Sequence, residues 1–377
     1  RDNLFRYVGL VAVMVVGIAV IFMLDSLAYQ SSEWKEFRQF FDARTKVYDY
    51  TWYPAYEDGE AFYAENGISK EQYQLIDSYN FGLDPSLDAQ TLEKIAGYGE
   101  RQRILGNHGV RIKNVIWEMG HNMLAREHAP YNYFVLVSYG LVIGLAAVQK
   151  RKDYTWKLLL LLVMRTISWS YLYWSARVVS RIAHPLYMIE FLILIAILVT
   201  ELYDRPLWNI EKYYRRAAGV VYLLMILIVL PLSYQKVNAE QLKRENLLVN
   251  QELLDDYCKE HGENYYYLDV YSSVAFVEKV YKNVDNRYKN YDLLGGWLCH
   301  SPLQKQNFNG NMEENLLQEN FYFVIESIGD TAFLTDYYSA KGTTVTLELQ
   351  DTVGEGENPF LVYKVVQDIG KNNKKKK

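Results

Sequence analysis

The sequence predicts an α-helical membrane protein of about five spans, with a helical lobe and a small α/β lobe outside the bilayer. Long uncharged apolar runs give the spans. Lys/Arg clusters in two connections give their orientation, and a switch near residue 260 from helical to strand-like patterning gives the α/β lobe. The chain has 377 residues, 50% of them hydrophobic, and a formal charge of −5. A net acidic chain lacks the basic footprint of a nucleic-acid binder. Two cysteines are too few for a disulfide framework or a cysteine-rich zinc module.

Tyr7–Leu24 is 18 residues without a charge, enough at ~1.5 Å per residue nearly to cross a ~30 Å hydrocarbon core. A signal peptide would show a shorter apolar run and a small-residue cleavage site. Leu24-Asp25-Ser26-Leu27 offers no such site, so 1–24 is expected to remain as the first span. Tyr131–Gln149, Thr155–Ala176 with Arg165, Leu186–Thr200 with Glu190, and Ala217–Gln235 supply four more within 131–235. Lys150, Arg151, Lys152 and Lys157 fall in one connection, and Arg205, Lys212, Arg215 and Arg216 in another. Both lie on the side of Arg1 and Arg6. That side is expected to be cytoplasmic, which places 25–130 and 236–377, both net acidic, outside the cell membrane. The chain opens on Arg rather than Met, which fits a fragment of a longer protein or a processed product, and spans could lie upstream.

The 25–130 segment reads as helical. Glu33–Lys46 carries Trp34, Phe37, Phe40 and Phe41 at helical spacing, Ser69 and Gln72 form a capping-box pattern, and Asp88 can cap a short helix. Lys113–Glu127 follows an apolar stripe of Ile112, Val115, Ile116, Met119 and Met123. Beyond residue 235 the last span is expected to continue as a stalk helix through Asn238–Glu260. Strands are expected at Tyr265–Val270, Phe321–Ile325, Thr343–Leu349 and Phe360–Val366. Helices are expected at Ser272–Lys282 and from Asp330 to Ala340. This order suits a small parallel or mixed sheet with an antiparallel edge hairpin. Asp269, near the end of the first strand, stands where such sheets present ligands, but no phosphate-binding glycine motif follows it. Asn290–His300 reads as a structured loop around Gly295-Gly296. Cys258 and Cys299, both on the expected outer side, could be joined by a disulfide.

Three groups of residues carry chemistry. The run Tyr48-Asp49-Tyr50-Thr51-Trp52-Tyr53 sets aromatic faces beside a carboxylate, which suits a sugar ring and equally a Tyr-rich packing loop. Arg177 and Arg181 lie one helical turn apart at the outer end of a span that also holds Trp174. Two such forks can hold a phosphate or pyrophosphate, or simply snorkel to lipid headgroups. Arg165 lies about 15 Å along its span and requires a partner or a polar cavity, while Glu190 is expected to pair with Arg177 or Arg181. Glu118, His121, Glu127 and His128 match no zinc motif, so no metal or other cofactor is expected.

The segments Phe41-Asp42-Ala43-Arg44, Tyr48-Asp49-Tyr50, Tyr79-Asn80-Phe81-Gly82-Leu83-Asp84, Arg177–Arg181 before Pro185, and Asn290–Trp297 carry a resemblance. Together they resemble the C-terminal portion of large multi-span envelope proteins of Gram-positive bacteria, which are compared with lipid-linked-sugar (GT-C-like) glycosyltransferases. The resemblance implies an outward loop after a first span that supplies a catalytic acid, with Asp25 in that position here. The expected function is envelope glycan assembly, with a polyprenyl-phosphate-linked sugar as ligand and the lipid bilayer as surroundings. Arg177 and Arg181 would hold the phosphate, with Arg165, Glu190 and Trp174 in the same substrate-binding region. Asp49 or Asp42 would be the base, and Tyr50 and Trp52 would stack the sugar. A non-enzymatic membrane-anchored receptor or scaffold is the alternative, and a transporter a third.

Overall fold

Local sequence signals account for the helix ends. In the computed structural model, residues 2–105, 108–149, 155–175, 177–203, 209–273, 290–307 and 311–368 are described. The chain is mostly helical with one small mixed sheet. The helices before the sheet are α1 (Asp2–Ala28), α2 (Ser32–Thr45), α3 (Tyr56–Glu65), α4 (Lys70–Asp77), α5 (Ala89–Leu105), α6 (His108–Asn122), α7 (Tyr131–Gln149), α8 (Thr155–Trp174), α9 (Ser180–Tyr203) and α10 (Asn209–Glu260). The Ser69–Gln72 capping box forms as its spacing requires. The Ser69 hydroxyl accepts from the Gln72 amide at 3.2 Å, and the Gln72 side chain accepts from the Ser69 amide at 3.0 Å. Asp88 accepts from the Thr91 amide at 2.8 Å and so caps α5.

Among the described residues, four helical stretches are long and apolar enough to cross a membrane: Phe5–Ala28, Tyr131–Val148, Ser180–Leu202 and Lys212–Glu260. The expected fifth, Thr155–Ala176, forms a helix as α8 but is not among them. Lys157, Arg165 and a run of Ser, Thr and Tyr dilute its five consecutive leucines. With four qualifying stretches in place of five, counting crossings no longer fixes which side each segment faces.

The chain divides into two compact units. The first comprises Arg1–Tyr48, Trp52–Gly99 and Lys243–Lys377. The second comprises Asp49–Thr51 and Glu100–Leu242. The segment read as one helical lobe, 25–130, is thus shared between them.

The first unit contains the sheet. Its further elements are β1 (Tyr265–Leu268), α11 (Val270–Ser273), β2 (Tyr291–Leu293), α12 (Pro302–Asn307), α13 (Met312–Asn315), β3 (Phe321–Glu326), α14 (Ala332–Ala340), β4 (Val345–Val353) and β5 (Phe360–Gln367). The strand order is β2-β1-β3-β5-β4. β1 is parallel to both β2 and β3, whereas β5 is antiparallel to β3 and β4. The mixed sheet with an edge hairpin is therefore present. It gains one strand, β2, inside the segment expected to be a loop, and most of the expected helix Ser272–Lys282 lies outside the described residues.

Alternation along the strands gives each face its own core. Tyr265, Tyr267, Phe323 and Ile325 join Phe40, Leu75, Phe81 and Leu334 on one face. Tyr266, Leu268, Val324 and Val362 join Leu254 and Cys258 of α10 on the other. Cys299 packs in the first cluster and Cys258 in the second, so the sheet separates them and both thiols are free. The expected disulfide does not form. The C-terminal part of α10 also clasps the hairpin turn. The Asn250 amide donates to the carbonyls of Glu355 and Asn358 at 3.0 Å, and its carbonyl accepts from the Glu355 amide at 2.8 Å.

In the second unit, Val135, Val142, Trp169, Ala183, Tyr187 and Leu194 form the core, with Met119 and Met123 packed against it. Val115 of α6 is buried, but Ile112 and Ile116, expected on the same stripe, are exposed.

Candidate functional site

The second unit gathers two of the sequence-selected residues, Asp49 and Tyr50, around the guanidinium of a third, Arg177. Asp49 and Tyr50 lie in a π-helical turn, Lys46–Tyr50. The Arg177 guanidinium donates to the Asp49 carboxylate at 3.2 Å and lies 4.3 Å from the Tyr50 ring centroid. The pair is part-buried, with side-chain exposures of 20% and 25%. A cation held between a carboxylate and an aromatic face is oriented while its charge is partly satisfied. Arg177 lies in the connection between α8 and α9 and Arg181 in the first turn of α9, so the two are not one helical turn apart as their spacing suggested; Arg181 is exposed. Trp174 is covered by a residue that sequence reasoning missed: the Arg111 guanidinium sits 3.8 Å from its ring and donates to its backbone carbonyl at 2.5 Å. Arg111 lies in an ordinary amphipathic stretch, where nothing marks it out from the neighbouring Lys113.

Arg165 finds its partner within the same unit, as its depth demanded. It forms a hydrogen-bonded ion pair with Glu190, the two side chains being 8% and 6% exposed. Tyr139 donates to the second Glu190 oxygen at 2.6 Å, and Trp169 and Tyr187 stand about the guanidinium. Glu190 therefore pairs with Arg165 and not with Arg177 or Arg181. The reason lies in where α9 begins. It starts at Ser180, ahead of Pro185, so Glu190 is ten residues along it, about 15 Å from its start. Arg165 is nine residues back from the end of α8, about 14 Å, so the two meet at equal distances from the connection.

Asp25, Asp42 and Trp52 belong to the first unit. Asp25 pairs with Arg38 at 3.1 Å, Asp42 is exposed on α2, and Trp52 is 67% exposed. Glu118 accepts from Asn122 and His121 stacks on Trp117. Among the described residues, no three His, Cys, Asp or Glu side chains could hold a metal ion.

The first unit holds a second polar constellation, centred on Asp269. One carboxylate oxygen accepts from the Asn80 amide at 2.7 Å. The other accepts from the Ser272 backbone amide and hydroxyl, at 2.8 and 2.7 Å. The Asn80 carbonyl accepts from the Val270 amide at 3.1 Å, and the Ser272 hydroxyl accepts from the Glu326 amide at 3.0 Å. The segments Tyr79–Asp84 and Asn290–Trp297 meet nearby. A Cβ on Gly295 would lie 1.9 Å from the Tyr79 carbonyl oxygen, and one on Gly82 would lie 2.6 Å from the Cys299 sulfur. The glycines are required by this close backbone approach. Arg44 is fully buried there, between the rings of Phe41 and Trp297, and donates to the Tyr79 hydroxyl at 2.8 Å.

No protein-family model matches the chain, and no curated protein or solved structure matches it.

Proposed function

We propose that this chain is an integral membrane protein of cell-envelope glycan assembly, which binds a polyprenyl-phosphate-linked sugar at the outer face of the membrane and handles or transfers that sugar. The observation that carries the reading is the Arg177 cluster. A guanidinium oriented by Asp49 and Tyr50, with the exposed Arg181 four residues on at the start of α9, can exchange a carboxylate partner for a phosphate. The exchange frees Asp49. In transfer, an acceptor hydroxyl oxygen attacks the anomeric carbon and the bond from that carbon to the phosphate oxygen breaks. The phosphate stays with the arginines, and Asp49 takes the hydroxyl proton.

The test is binding to vesicles containing polyprenyl phosphate. Arg177→Gln combined with Arg181→Gln should abolish it, and unchanged binding removes the proposal. A second reading, a non-enzymatic membrane-anchored receptor or scaffold, is favoured by the engagement of Asp49 with Arg177. It requires that joint replacement of Asp25, Asp42 and Asp49 by Asn leave activity in cells intact.

A further inference from the structure

The topology of the sheet directs attention to a place that the Arg177 cluster does not use. β1 lies between β2 and β3 and is parallel to both. The chain leaving β1 next joins the sheet at β2, on one side, while the chain leaving β3 runs through α14 to β4, on the other. The connections diverge between the carboxyl ends of β1 and β3. In open α/β sheets that divergence leaves the crevice where ligands bind.

A cleft of about 480 Å³ lies there, within the size range of small-molecule sites. Asp269 and Tyr271 follow β1 into its wall, Glu326 ends β3, and Asp77 of α4 closes the third side. Among its described lining residues there is no Lys, Arg or His. Two of its carboxylates are already committed: Asp269 to Asn80 and Ser272, and Asp330 to the Ala332 amide at the start of α14. The Glu326 carboxylate has no hydrogen bond or ion pair among the described residues. Burial and the neighbouring Asp269 raise its pKa, as expected for a carboxylate lacking a cation. The Gln74 side-chain oxygen in the same wall is buried and has no partner among the described residues. The carboxylates do not converge as a metal ion needs. The more exposed ring of Tyr271 offers an apolar face, its hydroxyl donating to the Asp77 carbonyl at 3.3 Å.

We propose that this cleft binds an amine-bearing polyol, an amino sugar being the simplest, with Glu326 and Asp77 accepting from its ammonium and hydroxyl groups and Tyr271 covering its C–H face. The site is distinct from the Arg177 cluster and stands whether or not lipid-phosphate binding does.

The experiment is ligand-observed saturation-transfer NMR on the full chain in detergent, with protonated D-glucosamine as the probe and D-glucose as its uncharged counterpart. Glucosamine should bind saturably and at least about tenfold more tightly than glucose, the scale of one charge-assisted hydrogen bond. Glu326→Gln should remove that preference. Ile328→Trp, placed at the exposed rim, should weaken both ligands without altering a carboxylate, and it provides the test if Glu326→Gln fails to fold. Arg177→Gln with Arg181→Gln should leave glucosamine binding unchanged, which separates this site from the lipid-phosphate site. Absence of saturable glucosamine binding, equal binding of glucose, or indifference of binding to the substitutions at Glu326 and Ile328 would overturn the proposal.

Discussion

Asn80 and Asp269, 189 residues apart in the chain, are joined inside the first unit by a 2.7 Å hydrogen bond from amide to carboxylate. Both are buried, and the Asn80 carbonyl also takes the Val270 amide, so one side chain ties the turn after α4 to the start of α11. Asn80→Ala leaves a buried carboxylate oxygen and a buried N–H without partners and should cost about 2–4 kcal/mol. Asn80→Asp should cost more, because it opposes two carboxylates. The readout is the thermal unfolding of the detergent-solubilised chain, with Asp269→Asn as the milder comparison.

Gly295→Ala should be among the most damaging small substitutions in the first unit. The added methyl meets a backbone carbonyl at 1.9 Å, and backbone cannot swing aside as a flexible side-chain tip can. A loss of about 1–3 kcal/mol, or failure to accumulate folded protein, is expected. Gly342→Ala is the control. Its φ is positive, 81°, unlike that of Gly295, but there is open space around it, so it should cost about 1–2 kcal/mol from backbone strain alone.

The Arg165–Glu190 pair gives a prediction with a built-in rescue. Arg165→Leu strands a buried carboxylate and should lower stability by about 3–5 kcal/mol. Adding Glu190→Gln removes the stranded charge and should restore much of the loss. Unfolding midpoints of the two single variants and the double variant, compared as a cycle, measure the coupling.

Asp292 supplies a pH signature. Burial raises its carboxyl from the ordinary 3.8 to about 6. A raised carboxyl pKa means that ionisation opposes folding. The penalty is absent below the unfolded-state value, grows as pH rises through the window between the two values, and is constant above about 6. Asp292→Asn should therefore stabilise the first unit at pH 8 by up to about 3 kcal/mol and have little effect near pH 3. Melting curves of both proteins at the two pH values check the sign.

Both cysteines should titrate as free thiols. Both thiols are buried, and burial pushes that of Cys299 well above the usual thiol range, so alkylation of the folded chain near neutral pH should be slow. After denaturation without reductant, two equivalents of label per chain should be taken up rapidly. One fewer pair of reactive thiols would mean a disulfide.

Elements whose signal is local could be read from the sequence: the Ser69 and Asp88 caps, the apolar helices, and the strands at Tyr265, Phe321 and Phe360. β2 could not, because three residues, Tyr291–Leu293, give too short a pattern and pair only through the distant β1. The partner of Glu190 was misjudged because α9 begins at Ser180 and carries Pro185 within it, so the apolar run from Leu186 placed the helix start too late. The grouping of Asp49, Tyr50 and Arg177 was partly legible, since each residue stood out alone while their contact depends on packing. Asp269 was legible as a strand-end carboxylate. Its tie to Asn80 was not, because no spacing rule links residues so far apart.

Three tyrosines in succession, Tyr265–Tyr267, give β1 no reading frame of its own. Slide the strand by one position and the same ring chemistry still presents itself to each side, yet every ring would face the wrong neighbours. The frame must then come from punctuation at the ends: Asp269, pinned by Asn80, after the run, and the Asn290 amide, donating to the Cys258 and Asn264 carbonyls, before it. The carboxylate that stands at the mouth of the cleft is in this sense also the ratchet pawl that stops the strand from slipping.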